Sequence, residues 1–204
     1  MKNFVSLTYL SLLLIVGCSG DRKSLSSDAV YESKYISIDT ILNAEGKMLL
    51  FLNLDEEKYL LKWGSGAYSN MSKDTLYSLP DGKVKMQWHS KDAIALRQGC
   101  GTSCFYAYIL PLKDQASEAF YMYPLAYDTV NNFIAYNGDN NESLVIVENY
   151  LTKQKQLIDR TFLRGPFPGY AIDSIAFLSD RKQLFLEWKD EEEQKQSEIF
   201  KIEL

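Results

Sequence analysis

Trp88-His-Ser-Lys-Asp-Ala-Ile-Ala-Leu96 begins with an aromatic residue, passes through a polar segment and ends in an apolar run. The same order of residue types recurs in Tyr127-Asp-Thr-Val-Asn-Asn-Phe-Ile-Ala-Tyr136 and in Phe177-Leu-Ser-Asp-Arg-Lys-Gln-Leu-Phe-Leu186. The polar segments favour turns, and runs rich in branched and aromatic side chains favour strands. Each stretch therefore predicts the end of one strand, a turn and a second strand.

The aromatic residues that begin these stretches are 39 and 50 residues apart, and a further pair of strand signals follows each of them. Four-stranded blades of β-propellers repeat at a similar interval. The pattern predicts an all-β fold, built as a small or open propeller-like antiparallel meander of three to four blade-like units. A β-sandwich or a barrel with blade-like hairpins is the alternative.

The rest of the chain extends this pattern, with short apolar runs separated by clusters of Asn, Asp, Gly, Ser and Lys. The predicted strands are 35–41, 47–54, 58–63, 75–79, 84–88, 93–97, 105–112, 133–136, 143–149, 155–158, 172–177, 183–188 and 197–202. Residues 80–83 and 137–141 carry turn-forming residues and predict hairpin connections. The charged run 189–196 lies between two strand signals and predicts a solvated hairpin tip.

Residues 177–186 resemble the Phe-Ser-Pro-Asp-Gly-Lys blade signature of periplasmic Tol-type β-propellers. Phe177, Asp180 and Lys182 match the signature, whereas its Pro and Gly are missing. The resemblance covers ten residues and implies propeller blades.

The first residues of the chain predict a signal peptide, because a basic start at Lys2 precedes an apolar run from Phe4 to Gly17. That run is too short to span a bilayer as a helix. Its end, Ile15-Val16-Gly17-Cys18, resembles the lipobox of bacterial lipoprotein precursors, although Leu is commoner than Ile at the first position. The resemblance implies that Cys18 receives fatty acids such as palmitate and becomes the mature N-terminus.

This motif divides the chain into three predicted parts. Residues 1–17 form the signal peptide, residues 18–30 a polar, Ser-rich lipidated tether, and residues 31–204 a single all-β domain. The lipobox implies a protein anchored in the bacterial cell envelope by its N-terminal lipid. Ser19 after the cysteine implies the outer membrane in that family.

The charge balance limits the partners that this chain can bind. It has 22 Lys and Arg against 27 Asp and Glu, and only Lys2 of these lies in residues 1–17, so the mature chain carries a net charge of about −6. Nucleic acid requires a basic surface and is therefore not an expected partner. We expect a protein or glycan partner in the envelope.

Cys100 and Cys104 flank a Gly-Thr-Ser segment. In a straight strand they would lie about 13 Å apart, so a disulfide requires the turn that Gly99 and Gly101 permit. A location outside the cytoplasm favours the disulfide. A redox pair usually has a shorter spacing and a metal site needs further ligands, with His89 as the only non-carboxylate candidate. The sequence predicts no metal and no cofactor.

Enzyme classes are restricted by the single histidine. Any Ser-His-Asp or Cys-His arrangement would have to use His89, and no nucleophile motif accompanies it. A hydrolase that uses only carboxylates, as in glycoside hydrolysis, remains open because the chain has 27 acidic residues. No catalytic residue is predicted.

The segment 160–170 is a candidate binding loop, because it combines aromatic residues and arginines with Pro and Gly. Its candidate residues are Arg160, Arg164, Phe167 and Tyr170, which are of the types that dominate binding hot spots. The alternative is a connection between blades whose Phe162 and Phe167 pack inward.

Gly64-Ser65-Gly66-Ala67-Tyr68 resembles the Ser-Gly-x-Ala-x-Tyr loop of periplasmic lysozyme inhibitors, but lacks the basic residue before Tyr. This resemblance implies an inhibitor of a cell-wall hydrolase. The sequence as a whole favours a lipid-anchored, non-catalytic binding or scaffold module of unknown ligand. The inhibitor and a carboxylate-dependent envelope hydrolase are its alternatives.

Overall fold

The computed structural model describes residues 35–79, 82–101, 104–137, 143–167 and 169–204. Lys34–Leu204 forms a compact unit. The predicted signal peptide, Cys18 and the tether lie outside the described residues, so these assignments stay predictions.

The described residues form sixteen β-strands in four antiparallel sheets. Sheet 1 contains β1 (Ser37–Ala44), β2 (Lys47–Asn53), β3 (Lys58–Ser65), β4 (Tyr68–Met71) and β5 (Leu76–Tyr77). Sheet 2 contains β6 (Lys85–His89), β7 (Ala93–Gly101), β8 (Cys104–Pro111) and β9 (Ala119–Met122). Sheet 3 contains β10 (Pro124–Asp128), β11 (Phe133–Tyr136), β12 (Val145–Asn149) and β13 (Lys155–Ile158). Sheet 4 contains β14 (Ile172–Leu178), β15 (Gln183–Lys189) and β16 (Lys195–Lys201).

Sheets 2, 3 and 4 are simple meanders in which each strand pairs with the next. Sheet 1 is a meander from β1 to β4, and β5 pairs with the opposite end of β3. None of these four sheets closes into a barrel within the described residues. The all-β fold and the open antiparallel meander are therefore confirmed, with four blade-like units.

Neighbouring sheets pack face to face and enclose three apolar cores. One core lies between sheets 1 and 2, a second between sheets 2 and 3, and a third between sheets 3 and 4. Strand β7 shows how one strand contributes to two cores. The side chains of Ile94 and Leu96 pack in the first core, and those of Ala93 and Ala95 pack in the second. Successive side chains of a strand point to opposite faces, so residues 93–96 of this central strand, which are covered on both faces, are apolar at every position.

The repeated stretches occupy equivalent places in three sheets. Trp88, Tyr127 and Phe177 lie on β6, β10 and β14, the first strands of sheets 2, 3 and 4. In each case the polar segment that follows is the turn to the second strand of the same sheet. The prediction of a strand, a turn and a second strand is confirmed at all three places.

Side chains of these turns hold the backbone. The Ser90 hydroxyl accepts hydrogen bonds from the Asp92 and Ala93 amides, at 3.1 and 3.2 Å. In the next repeat the Asp128 carboxylate accepts from the amides of Val130 and Asn131, at 2.9 and 3.0 Å. Short polar side chains favour turns because they can satisfy backbone amides in this way.

Thirteen strands are predicted as apolar runs, whereas β4 and β9 are not predicted and only the end of β10, at Tyr127, is predicted from its repeated stretch. Strand β4 is mostly polar, and β9 and β10 are separated only by Tyr123, which adopts a left-handed φ of 48°. A continuous apolar run does not reveal such a break. The hairpin predicted at 80–83 is wrong, because the strand before it, β5, belongs to sheet 1 and the strand after it, β6, belongs to sheet 2.

The charged run 189–196 is confirmed as an exposed hairpin tip. It connects β15 to β16, and Lys189 pairs with Lys195 across the hairpin. The Asp190 carboxylate accepts from the amides of Glu192 and Gln194, so it caps the turn.

Candidate functional site

The core between sheets 2 and 3, which we call the seam, differs from the other two cores in the size and type of its side chains. Sheet 2 contributes mainly small residues, Ala93, Ala95, Ala107 and Ala119. Aromatic side chains from both sheets fill the space beside them, namely Trp88, Tyr121, Tyr127, Tyr136 and Tyr150. Because several of these aromatics carry hydroxyl groups, this seam can support polar groups that a purely aliphatic core would exclude.

Five polar residues meet where this seam opens to solvent. Tyr121 comes from β9, Tyr136 from β11, Glu148 from β12, Lys155 from β13 and Lys153 from the turn before β13. Glu148 and Lys155 are directly paired across β12 and β13, which places their side chains on the same face of sheet 3. Tyr121 reaches this cluster from the edge strand of sheet 2.

Glu148 forms the floor of the cluster. Its side chain is only 5% exposed, and its two oxygens accept hydrogen bonds from different phenols. The Tyr121 hydroxyl donates to one oxygen at 2.7 Å, and the Tyr136 hydroxyl donates to the other at 3.0 Å. A buried carboxylate is tolerated only where donors replace water, and these two phenols supply them.

Two ammonium groups lie over the same carboxylate. Lys153 Nζ is 3.5 Å from one carboxylate oxygen and Lys155 Nζ is 3.4 Å from the other. Lys153 Nζ also donates to the Tyr121 hydroxyl at 3.3 Å. Both lysine side chains remain half exposed, at 50% and 52%.

The environment shifts the pKa values of the groups around Glu148. Burial, reinforced by the hydrogen bond to Glu148, raises the pKa of the Tyr121 hydroxyl, and burial also raises that of Tyr136. Desolvation lowers the pKa of Lys153, even though the Glu148 charge opposes this effect. A hydrogen bond with Tyr136 raises the pKa of Lys155. The phenols therefore remain protonated donors.

These groups line an open groove of about 330 Å³, which we call the Glu148 groove. Its lining residues are Ala119, Phe120, Tyr121, Met122, Tyr136, Asn137, Glu148, Lys153 and Lys155. Glu148 is the only acid among them, and none is a Ser, Cys or His. A pair of catalytic carboxylates is not present in this lining. The two half-exposed ammonium groups supply hydrogen-bond donors with which the groove can hold a ligand.

Sequence reasoning missed this site. The one available signal was Glu148, a charged residue directly after the apolar run 144–147 in a predicted strand. A charged group at the end of a buried strand must have partners, but the run does not reveal which residues they are. Tyr121 is 27 positions away and lies on a strand that was not predicted.

The candidate binding residues Arg160 and Arg164 have different environments. Arg160 donates to both carboxylate oxygens of Glu198, at 2.9 and 3.0 Å, and its guanidinium lies 4.9 Å from the centre of the Phe200 ring. The Arg160 guanidinium is therefore bound to side chains of β16. The guanidinium of Arg164 lies 5.9 Å from the Phe162 ring centre.

The aromatic residues of this loop divide into one buried side chain and two exposed ones. Phe162 packs into the core between sheets 3 and 4, whereas Phe167 is 40% and Tyr170 is 45% exposed. The exposed rings contact each other edge to face, with centres 5.4 Å apart. The cavity beside them is only about 10 Å³, which is room for about one water molecule. Their role in binding stays a prediction.

The Cys100–Cys104 disulfide is present at the end of the β7–β8 hairpin, with Cα atoms 5.1 Å apart. Gly101 has a φ of 124°, a conformation that side chains other than glycine rarely adopt. The disulfide closes a short loop, for which chain entropy corresponds to about 2 kcal/mol of stabilisation. It therefore shapes the hairpin more than it holds the sheets together.

The remaining predicted candidates lie apart from the Glu148 groove. His89 ends β6, and the part of the chain that the structure describes contains no group of three or more potential metal ligands. Gly64 and Tyr68 lie close together in the β3–β4 hairpin. A side chain at Gly64 would collide with the backbone of Tyr68, so this glycine has a packing role.

Comparisons of the chain with known protein families, curated proteins and solved structures gave no match. Within the described ranges, no helix has the length and apolar character needed to cross a membrane.

Proposed function

We propose that this protein is a lipid-anchored, non-catalytic binding module of the bacterial cell envelope that holds its ligand in the Glu148 groove. The lipobox-like segment ending at Cys18 supports the anchor and the location. The observation that carries the binding role is the saturated, buried carboxylate of Glu148 beneath two half-exposed lysines. Glu148 holds Lys153 and Lys155 at the groove, and their half-exposed ammonium groups offer donors to a ligand.

Lipid attachment at Cys18 is tested by labelling cells that express the full chain with radioactive palmitate. We expect the label on the wild-type protein, and mass spectrometry should identify an N-terminal peptide that starts at an acylated Cys18. Cys18→Ala should abolish the label because its side chain has no sulfur to acylate. The Cys100→Ser/Cys104→Ser variant is the matched control and should retain the label. Label on Cys18→Ala, or an unmodified mature N-terminus, would contradict the anchor.

Ligand binding is tested with the mature protein in detergent and a deproteinised small-molecule extract of the cell envelope. We expect the extract to raise the thermal unfolding midpoint, since a ligand that binds only the native state stabilises it. The molecule recovered after denaturation should have the same mass as the molecule that was bound. No rise with a concentrated extract, or recovery of a cleaved product, would contradict a non-catalytic binding module.

A further inference from the structure

The charges of the Glu148 groove do not cancel. One buried carboxylate is opposed by the ammonium groups of Lys153 and Lys155, which leaves one excess positive charge at the groove entrance. The positive charge of Lys113 also acts on Lys153. This positive site stands out on a chain whose overall formal charge is −5. Partial burial strengthens its field relative to that of isolated surface lysines.

The ammonium groups retain donors for a ligand. Their distances to Glu148, 3.4 and 3.5 Å, exceed the roughly 2.7–2.9 Å of a tight charge-assisted hydrogen bond. Each ammonium has three N–H donors, so the contacts to Glu148 do not exhaust them. The Tyr121 and Tyr136 protons are already directed at Glu148. The groups that face an incoming molecule are therefore cationic donors, and their complement is an anionic acceptor.

The groove also has an apolar wall. Ala119, Phe120 and Met122 of the edge strand β9 line it beside the polar cluster. The aromatic rings of Tyr121 and Tyr136 form its other side, with ring centres 5.1 Å apart. A volume of about 330 Å³ is at the lower end of small-molecule sites. An apolar or ring-shaped body of small size matches this wall.

We infer that the Glu148 groove binds a small organic anion, whose carboxylate or phosphate group contacts Lys153 and Lys155 and whose apolar body packs between strand β9 and the ring of Tyr136. This inference rests on the proposed binding function and adds the chemical class of the ligand. Glu148 acts as a positioning residue, because it holds the two lysines and the two phenols without needing to touch the ligand. Charge-assisted hydrogen bonds to the anion replace the hydrogen bonds to water that the ammonium groups lose when the ligand binds.

Nuclear magnetic resonance titration of the mature protein in detergent tests the ligand class with four ring compounds of similar size. Benzoate and phenyl phosphate are the anionic probes, benzamide is neutral and benzylamine is cationic. We expect benzoate, phenyl phosphate or both to bind at least about tenfold more tightly than benzamide. Benzylamine should not bind. The ratio of benzoate to phenyl phosphate affinity identifies the anionic group. Raising the salt concentration from about 20 to about 200 mM should weaken anion binding severalfold.

Lysine variants locate the binding site. Lys155→Gln should weaken binding of the preferred anion about tenfold, whereas Lys155→Arg should stay within about threefold of wild type because it keeps the charge. Lys91→Gln, which changes an exposed lysine elsewhere, is the matched control and should leave binding unchanged. Unaltered amide spectra of the free variants would show that each is folded.

The inference is overturned if benzamide binds as tightly as both anions, if no probe binds, or if folded Lys155→Gln retains wild-type affinity. Its failure is distinguishable from failure of the proposed function. Stabilisation by the envelope extract without binding of either anion would reject the ligand class and retain the binding module. The absence of both effects would reject both.

Discussion

Replacing Trp63 by alanine is expected to destabilise the protein by about 4 kcal/mol. Trp63 lies on β3, is fully buried and is the largest fully buried side chain among the described residues. Its ring fills the core between sheets 1 and 2, and its indole N–H donates to the Pro111 carbonyl of β8 at 3.0 Å. The substitution therefore creates a cavity and leaves a buried carbonyl without its donor.

Urea unfolding followed by far-ultraviolet circular dichroism measures this effect without depending on tryptophan fluorescence. Trp63→Phe keeps an aromatic ring and should lose about half as much stability. Tyr77→Ala removes an aromatic ring that is 54% exposed, so it should cost no more than about 1 kcal/mol. A Trp63→Ala protein as stable as Tyr77→Ala would show that the two sheets do not depend on this contact.

Removing the Glu148 carboxylate is expected to destabilise the protein by about 3 kcal/mol. In Glu148→Ala the hydroxyls of Tyr121 and Tyr136 lose their acceptor, and the Tyr121 side chain is almost completely buried. Hydrogen bonds to a charged group contribute about 1.5–3 kcal/mol each. The lysines contribute little to this loss, because they are half exposed and can be hydrated in the variant.

The same urea titration separates the role of Glu148 from a general effect of charge. Glu191→Ala removes an exposed carboxylate at the β15–β16 hairpin and should change the free energy of unfolding by no more than about 0.5 kcal/mol. In a double-mutant cycle, Tyr121→Phe should cost much less in the Glu148→Ala background than in wild type. Equal costs in the two backgrounds would mean that Tyr121 and Glu148 are not energetically coupled, despite the 2.7 Å hydrogen bond between them.

Much of the fold could be predicted because its signals are local. The stretches beginning at Trp88, Tyr127 and Phe177 predicted the first two strands of sheets 2, 3 and 4, and the first two of these turns are held by side chains within them. The disulfide between Cys100 and Cys104 was predictable for the same reason, because glycines in and beside its own short loop allow the turn. Strand alternation and turn chemistry depend on neighbours in sequence, so they can be recognised without a tertiary structure.

The candidate binding loop shows where local signals become ambiguous. Residue types alone made Arg160 a candidate contact residue beside Phe167 and Tyr170, and they left open whether Phe162 and Phe167 pack inward. In the structure, Arg160 is paired with Glu198, 38 positions away, and Phe162 is part of a core. Both an interface and a core favour aromatic side chains, and arginine also pairs within a fold, so only the partners distinguish the two.

The sequence by itself determined an all-β fold with repeated strand–turn–strand units, and it predicted the local disulfide and a lipidated N-terminus. Only the tertiary structure decided that Tyr121, Glu148 and Lys155 form one site. The reason is that the site lies in a seam between two sheets, where β9 meets β12 and β13. Alternation within each strand determines which face a residue occupies, but the contact between faces depends on how whole sheets pack.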